Sequence, residues 1–366
     1  MTLDIVIFGL SITSSWGNGH ATTYRALIKA LAKRGHRVTF IERDKPWYRE
    51  HRDLDQPDYC RVELYDNLAQ VPRRFSKQVA EADLVILGSY VPDGIALADW
   101  ITSKARGVRA FYDIDTPVTL ANLERGGSDY LSARLIPRFD LFLSFTGGPV
   151  LRLLEQQYGS PRARALYCAA DIDQHAPVRI PVKWDLGYLG TYSADRQTTL
   201  DQLLIAPAQH CPDRRFAVAG AQYPGELSWP ANVTLFAHLP PHEHSGFYCA
   251  QRFTLNITRA DMITTGYSPS VRLFEAAACG IPVISDAWPG LETFFKPGAE
   301  ILVAGTARDV VEILDAMPEA RRLDIATAAR RRLIEAHTPE RRARDLEDYY
   351  TEVLSDEASV ATAGVA

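Results

Sequence analysis

Leu3-Asp4-Ile5-Val6-Ile7-Phe8-Gly9-Leu10 opens the chain with a nearly unbroken apolar run, the pattern of a strand covered on both faces. Ser14-Ser15-Trp16-Gly17-Asn18-Gly19-His20 follows as a glycine-containing turn. Beyond it Tyr24, Leu27, Ile28 and Leu31 recur at helical spacing, and Gly35 stops the helix. Val38–Ile41 is the next strand and ends in Glu42 and Arg43. This strand–helix–strand unit predicts a parallel sheet with right-handed crossovers. Working outward, Asp83–Gly88, Val108–Ile114 and Phe139–Phe145 extend the same logic through the first half. Leu186–Leu189, Phe216–Ala219, Val233–Phe236, Phe253–Ile257, Pro282–Ser285 and Ile301–Val303 repeat it in the second, with helical stretches at about 195–208, 243–250, 271–279 and 307–316. The fold class expected is α/β: two Rossmann-like domains facing a central cleft.

Length agrees, since 366 residues hold two domains at roughly 100–200 residues each. The boundaries expected are 1–170 for the first domain and 171–182 for a connector, in which Asp171-Ile172-Asp173-Gln174-His175-Ala176-Pro177 and Pro181 are polar and aperiodic. A second domain over 183–337 follows, then a C-terminal helix over 338–356 that crosses back to the first domain, and a disordered tail over 357–366. Hydrophobic residues at 46% and charged residues at 23% exclude wholesale disorder. A net charge of −5 without a basic block gives no case for nucleic acid or a membrane surface. No apolar run reaches the roughly 18–20 residues of a membrane span, and the first ten residues read as a strand, without the basic start of a signal peptide. Five scattered cysteines, Cys60, Cys168, Cys211, Cys249 and Cys279, form no C-x-x-C pair. They imply neither a disulfide framework nor a zinc knuckle, and a cytoplasmic location is expected.

Ligands of open α/β sheets bind beyond the carboxyl ends of strands, so the chemistry is sought in loops. In the first, Gly17, Asn18 and Gly19 let backbone approach a ligand, and the helix beyond offers orphan N–H groups to an anion. It is not the dinucleotide fingerprint, because Thr22 stands where the third glycine would be. The second loop runs Thr264-Thr265-Gly266-Tyr267-Ser268-Pro269-Ser270-Val271-Arg272-Leu273-Phe274-Glu275. Ser270 is a good helix N-cap, and with the N–H groups there it would cradle a phosphate. Arg272 in the first turn opposes the helix dipole, which favours an anionic partner. Glu275 can accept two hydrogen bonds from a ribose diol, or else pair with Arg272 three residues away on a surface helix.

Arg272-Leu273-Phe274-Glu275-Ala276-Ala277-Ala278-Cys279-Gly280-Ile281-Pro282-Val283-Ile284-Ser285, followed by Gly290-Leu291-Glu292 and Lys296-Pro297-Gly298, resembles the donor-site segment of GT-B glycosyltransferases. More narrowly, it is similar to the CgeB-like group of family-1-type, GT4-like transferases. Gly17–Phe40 resembles the loop, helix and strand that open such enzymes, Gly187–Arg196 the first strand and loop of their nucleotide domain, and Asp171 to Pro177 their connector. The resemblance implies glycosyl transfer from a nucleotide-diphosphate sugar held mainly by the second domain to an acceptor (glycan, protein or small molecule) held mainly by the first, with no cofactor and no metal. It implies that Glu275 holds the ribose, Ser268 to Val271 the pyrophosphate, and Arg196 the diphosphate charge, with Thr191 and Tyr267 also in the donor-binding set. His238 and Leu239 would meet the base. Arg259 is a second phosphate candidate. Tyr267 stands where many retaining members carry glutamate, so retention of configuration does not follow.

An inverting transferase needs a general base against the acceptor hydroxyl. His20 and Asp115 are the two candidates, with Asp93 in reserve. Asp113 and Asp115, on one face of a strand, also allow a divalent ion geometrically, against capping of the next turn. His238, His242 and His244 cluster in sequence, but Pro240-Pro241 assigns them to a turn. Trp47, Tyr48, His51 and Trp100 offer surfaces for stacking. The alternatives are a nucleotide-sugar epimerase or hydrolase on the same fold, and a non-catalytic nucleotide-sugar binder.

Overall fold

The computed structural model describes residues 1–17 and 19–363, with side chains through residue 356. The chain divides into two compact units, Met1–Cys168 with Pro339–Ala366, and Ala169–Thr338.

The first unit is built on seven parallel strands: β1 (Asp4–Gly9), β2 (Arg37–Arg43), β3 (Arg61–Tyr65), β4 (Leu84–Gly88), β5 (Val108–Asp113), β6 (Leu141–Ser144) and β7 (Ala163–Ala165). Their spatial order is β3-β2-β1-β4-β5-β6-β7. β1 pairs Ile7 with Phe40 of β2 and with Ile86 of β4. Ile5, Val6, Ile7 and Phe8 are all buried, which is why this strand shows no polar alternation. The strand order reverses between β1 and β4, the switch point at which open α/β sheets bind ligands.

Two strands escape a hydrophobic-run reading. Arg61-Val62-Glu63-Leu64-Tyr65 alternates charged and apolar residues because β3 is an edge strand. Ala163–Ala165 is only three residues long, at the opposite edge.

The helix Pro339–Ala363 belongs to this first unit and lies against the helix Gly19–Lys33. It covers most of the segment 357–366 expected to be disordered, where Ala358, Ala361 and Ala363 are strong helix formers; residues 364–366 lie outside the described residues. Arg34 grips Glu347 with Nε and Nη2 at 2.6 and 2.5 Å. The His36 Nδ1 accepts the Leu3 N–H at 3.1 Å, so its Nε2 carries a proton and donates to Glu347 at 2.7 Å. The Arg34 hydrogen bonds, against a smaller effect of burial and with help from His36, hold the Glu347 carboxyl down at about 2. A depressed folded-state value stabilises above the unfolded value of about 4.3 and is lost as pH falls toward 2. Glu347→Gln should therefore lower the melting temperature at pH 7 and make little difference near pH 2, as melts across that window will show.

The second unit carries six parallel strands: β8 (Trp184–Leu189), β9 (Phe216–Ala219), β10 (Val233–Phe236), β11 (Gln251–Asn256), β12 (Val283–Ser285) and β13 (Leu302–Val303). They run β10-β9-β8-β11-β12-β13. Leu186, Tyr188, Phe216, Val218, Phe253 and Leu255 fill one core. The reversal falls between β8 and β11, and it sets the loop after Leu189 beside the loop after Asn256.

Candidate functional site

In the first unit the loop after β1 is shaped by a carboxylate at the end of β2. Glu42 is fully buried. It accepts the Ser11 hydroxyl at 2.9 Å, the Ile12 and Thr13 N–H groups at 2.7 and 3.1 Å, and the Thr13 hydroxyl at 2.7 Å. Four donors offset the cost of burying the charge. They also occupy the position from which an acidic residue would hold a dinucleotide's ribose. Arg25 ties the same loop through its Nε to the Ile12 carbonyl at 2.8 Å and through Nη2 to Asp53 at 2.5 Å. Gly17 then turns with φ +58° and Gly19 opens the helix that carries His20. Asn18 lies outside the described residues.

The two base candidates meet at one side chain. Tyr90 donates to Asp115 Oδ2 at 3.0 Å, and the His20 ring stands edge-on to Tyr90 at 5.4 Å. Tyr90 has φ +61°, a left-handed conformation that costs a non-glycine residue of order 1–3 kcal/mol and clusters at functional sites. It also packs on Tyr130, ring centroids 4.6 Å apart. A cavity of about 440 Å³ opens beside them, lined by Tyr90, Asn122, Ser128 and Tyr130 among others.

Asp113 ends β5 beneath this surface. Its Oδ1 accepts the Thr119 hydroxyl at 2.9 Å and the Asp115 N–H at 3.2 Å, while Oδ2 is buried without a hydrogen-bond partner. Burial pushes the Asp113 carboxyl up to about 7. β5 ends at Asp113, and Asp115 lies beyond it, just before the helix Thr116–Glu124, so the two aspartates do not share a strand face. Burial also pushes His20 down to about 4, leaving the imidazole neutral at pH 7. Asp93 is committed to an ion pair with Arg43, and Trp100 packs on Phe8 in the core.

In the second unit Ser270 caps the helix Val271–Ala278 by accepting the Arg272 N–H at 3.3 Å. Arg272 is buried, where a surface partner of Glu275 would be exposed. Its Nε donates to the Leu189 carbonyl, its Nη1 to Asn256 Oδ1 at 2.9 Å, and its guanidinium lies 4.7 Å over the Tyr188 ring. One arginine thus bridges the ends of β8 and β11 at the switch point. Arg196 approaches from the first turn of the helix Ala194–Leu200, donating through Nη2 to the Thr191 carbonyl at 2.5 Å; its Nε is buried without a hydrogen-bond partner. Burial, together with the charge on Arg272, holds the Arg196 pKa down. Two like charges near one another and away from water disfavour each other, a cost that an anion beside them would offset. Arg259, just beyond β11, pairs with Asp195 at 3.8 Å.

Glu275 lies one turn along the helix, buried at 4% exposure. Tyr248 donates to its Oε2 at 2.9 Å. His175 Nε2 lies 3.6 Å from Oε1 and His244 Nδ1 4.0 Å from Oε2.

Residues 196–348 match a family model described as glycosyl transferase-like. No curated protein matches the chain by sequence. Solved structures match over nearly its whole length. Sucrose-phosphate synthase from Thermosynechococcus elongatus superposes with TM-score 0.67 at 15% identity, over 97% of this chain and 100% of that one. HepE from Anabaena, in complex with UDP-glucose, gives 0.66 at 14% identity over 97% and 100%. An alpha-glucosyltransferase in complex with UDP-glucose and DNA containing an abasic site gives 0.69 at 14% identity over 96% and 100%. The fold is GT-B.

Within this GT-B chain the remaining residues singled out from sequence fall on the same loops of the second unit. Val271 opens the capped helix. Ser268 is buried and donates to the Gly266 carbonyl at 3.2 Å. Tyr267 takes φ +51° and donates its N–H to the Pro289 carbonyl at 2.7 Å. Leu239 and His238 lie in the loop after β10, His238 exposed and the Leu239 carbonyl accepting from His244 Nε2 at 3.2 Å. A second cavity, about 370 Å³, is lined there by Tyr223, Trp229, Phe236 and Ala237 among others. The three histidines of that stretch part company: His242 is exposed, and His244 turns inward to His175 and Glu275. Tyr90, Glu42, His175 and Tyr248 are the site residues that sequence reasoning missed. A usable signal existed only for Glu42, an acidic residue ending the second strand.

Proposed function

We propose that the protein is a glycosyltransferase of the CgeB-like kind, cytoplasmic, moving a sugar from a nucleoside-diphosphate-sugar donor to a hydroxyl acceptor without a metal ion. The observation that carries this reading is the Arg196–Arg272 pair beside the Ser270-capped helix, at the switch point of the second unit. Breaking the bond between the sugar C1 and the diphosphate oxygen leaves negative charge on the leaving phosphate. Pre-aimed cations and helix N–H groups stabilise that charge as it develops. Glu275 takes the ribose hydroxyls, and the loop of His238 and Leu239 the base. In the first unit the acceptor hydroxyl gives its proton to Asp115 or His20, beside the tyrosine-lined cavity. Neighbours of this fold bind UDP and UDP-glucose, so UDP-sugars are the donors to test first. The net charge of −5 favours a glycan, protein or small-molecule acceptor over nucleic acid.

The test is incubation of the protein with UDP-sugars and candidate acceptors, with product masses measured. Transfer is expected. Release of free sugar alone would make it a hydrolase, an altered sugar on intact donor an epimerase, and binding without turnover a sensor. Turnover should persist in excess chelator, because the phosphates are met by arginines. Complete loss restored by Mg²⁺ would contradict the metal-free reading.

A further inference from the structure

His175, His244 and Glu275 come from three separate segments of the second unit: the stretch before Pro177, the start of the helix His244–Cys249, and the helix Val271–Ala278. One ligating atom from each lies within 4.8 Å of the other two. Backbone carbonyls set both ring tautomers. The Asp171 carbonyl lies 3.3 Å from His175 Nδ1 and the Leu239 carbonyl 3.2 Å from His244 Nε2. A carbonyl only accepts, so each of those nitrogens carries the proton and the opposite nitrogen holds a lone pair.

The two lone-pair nitrogens, His175 Nε2 and His244 Nδ1, are buried without hydrogen-bond partners and both face the Glu275 carboxylate. His175 is 1% exposed. Two lone pairs and an anion converging in a dry site repel one another, and a cation between them resolves the conflict. A proton on one ring still leaves the other lone pair facing the carboxylate. A metal ion satisfies all three groups at once.

The surroundings match a metal site as well. Ligating histidines typically donate their second ring N–H to a carbonyl or carboxylate, and ligating carboxylates are themselves hydrogen-bonded. Both histidines do the first, and Tyr248 does the second for Glu275. Zinc–ligand distances of about 2.0–2.2 Å set tetrahedral ligands roughly 3.3–3.6 Å apart, near the 3.6 and 4.0 Å separations of the two nitrogens from the carboxylate. Two nitrogens and one oxygen leave a fourth position open.

We propose that His175, His244 and Glu275 bind one divalent transition-metal ion of the zinc class, and that this ion competes with the ribose hydroxyls for the Glu275 carboxylate. The competition rests on the donor reading above; the metal site does not.

The test uses the full-length, untagged protein and Co²⁺ as a spectroscopic probe. One equivalent of Co²⁺ should produce the visible bands of a low-coordinate nitrogen–oxygen site, and Zn²⁺ should bleach them stoichiometrically. His175→Ala and His244→Ala should each weaken uptake by at least the roughly 10–100-fold that loss of an outer-shell partner costs. His242→Ala, which alters the exposed neighbour, should leave uptake unchanged. Circular dichroism confirms that each variant is folded. No stoichiometric uptake overturns the site, as does equal uptake by the His175→Ala/His244→Ala double variant or a thiolate charge-transfer band from Cys249 or Cys279. Uridine, which has no phosphate to chelate cobalt, should then displace or perturb the bound ion. If cobalt binds as described and uridine binds without disturbing it, the competition is wrong and the metal site stands. If neither uridine nor UDP binds the metal-free protein, the donor reading fails on its own.

Discussion

Replacing Asp115 by asparagine is expected to lower the rate of sugar transfer by roughly 10²–10⁴-fold, the usual contribution of a positioned general base, with nucleotide affinity nearly unchanged. Asp115 and its neighbours Tyr90 and His20 belong to the first unit, whereas the residues assigned to the nucleotide belong to the second. Asparagine keeps an oxygen to accept from Tyr90, so the loop should hold its shape and only the proton acceptor is lost. His20→Ala separates the roles. If His20 only shapes the acceptor pocket, its loss raises the acceptor KM and spares kcat. If His20 is the base, kcat falls instead, and the parental rate should drop as pH falls through about 4, where burial places the imidazole. Initial rates of transfer, or of slow donor hydrolysis where no acceptor is in hand, measure both. Parental rates in both variants would remove the base from this cluster. The leaving phosphate would then be the proton acceptor, as in a retaining displacement.

The second large effect is on binding. Arg196→Met should weaken UDP by about 1.5–3 kcal/mol, the worth of a hydrogen bond to a charged group, or roughly 10–150-fold. It should do so without lowering the melting temperature of the nucleotide-free protein. Burial and the charge on Arg272 disfavour the Arg196 cation, with Asp195 among the groups that oppose them, so removing the charge should cost the nucleotide-free fold little. Arg272→Met should weaken UDP as much and also destabilise the fold, because Arg272 bonds to Leu189 and Asn256 at the ends of two strands. Calorimetric titration beside thermal melts distinguishes the two. A destabilised Arg196→Met protein with parental UDP affinity would assign Arg196 a structural role.

The sheets were largely legible because doubly covered strands such as Asp4–Gly9 and Phe216–Ala219 are written in continuous apolar residues. The edge strand Arg61–Tyr65 alternates charged and apolar residues and was invisible for that reason, whereas the edge strands Val233–Phe236 and Leu302–Val303 carry no charged residue and were read. The placement of Ser270, Arg272 and Glu275 on one capped helix was legible because the cap and the helix fix them locally, within six residues. The companions of Glu275 were not. His175 sits in an aperiodic stretch, and only the folded backbone brings it to His244 and to a carboxylate a hundred residues downstream. Tyr90 was missed for a related reason: its left-handed backbone and its contacts with His20 and Asp115 are products of loop geometry that no periodicity records.

Comparative titration of the protein with UDP, UMP and uridine bears most directly on the diphosphate site. Affinity is predicted to fall steeply from UDP to UMP to uridine, and the gap between UDP and UMP should shrink in Arg196→Met. Uridine binding as tightly as UDP, or an unchanged gap in the variant, would contradict a diphosphate held by Arg196, Arg272 and the Ser270-capped helix.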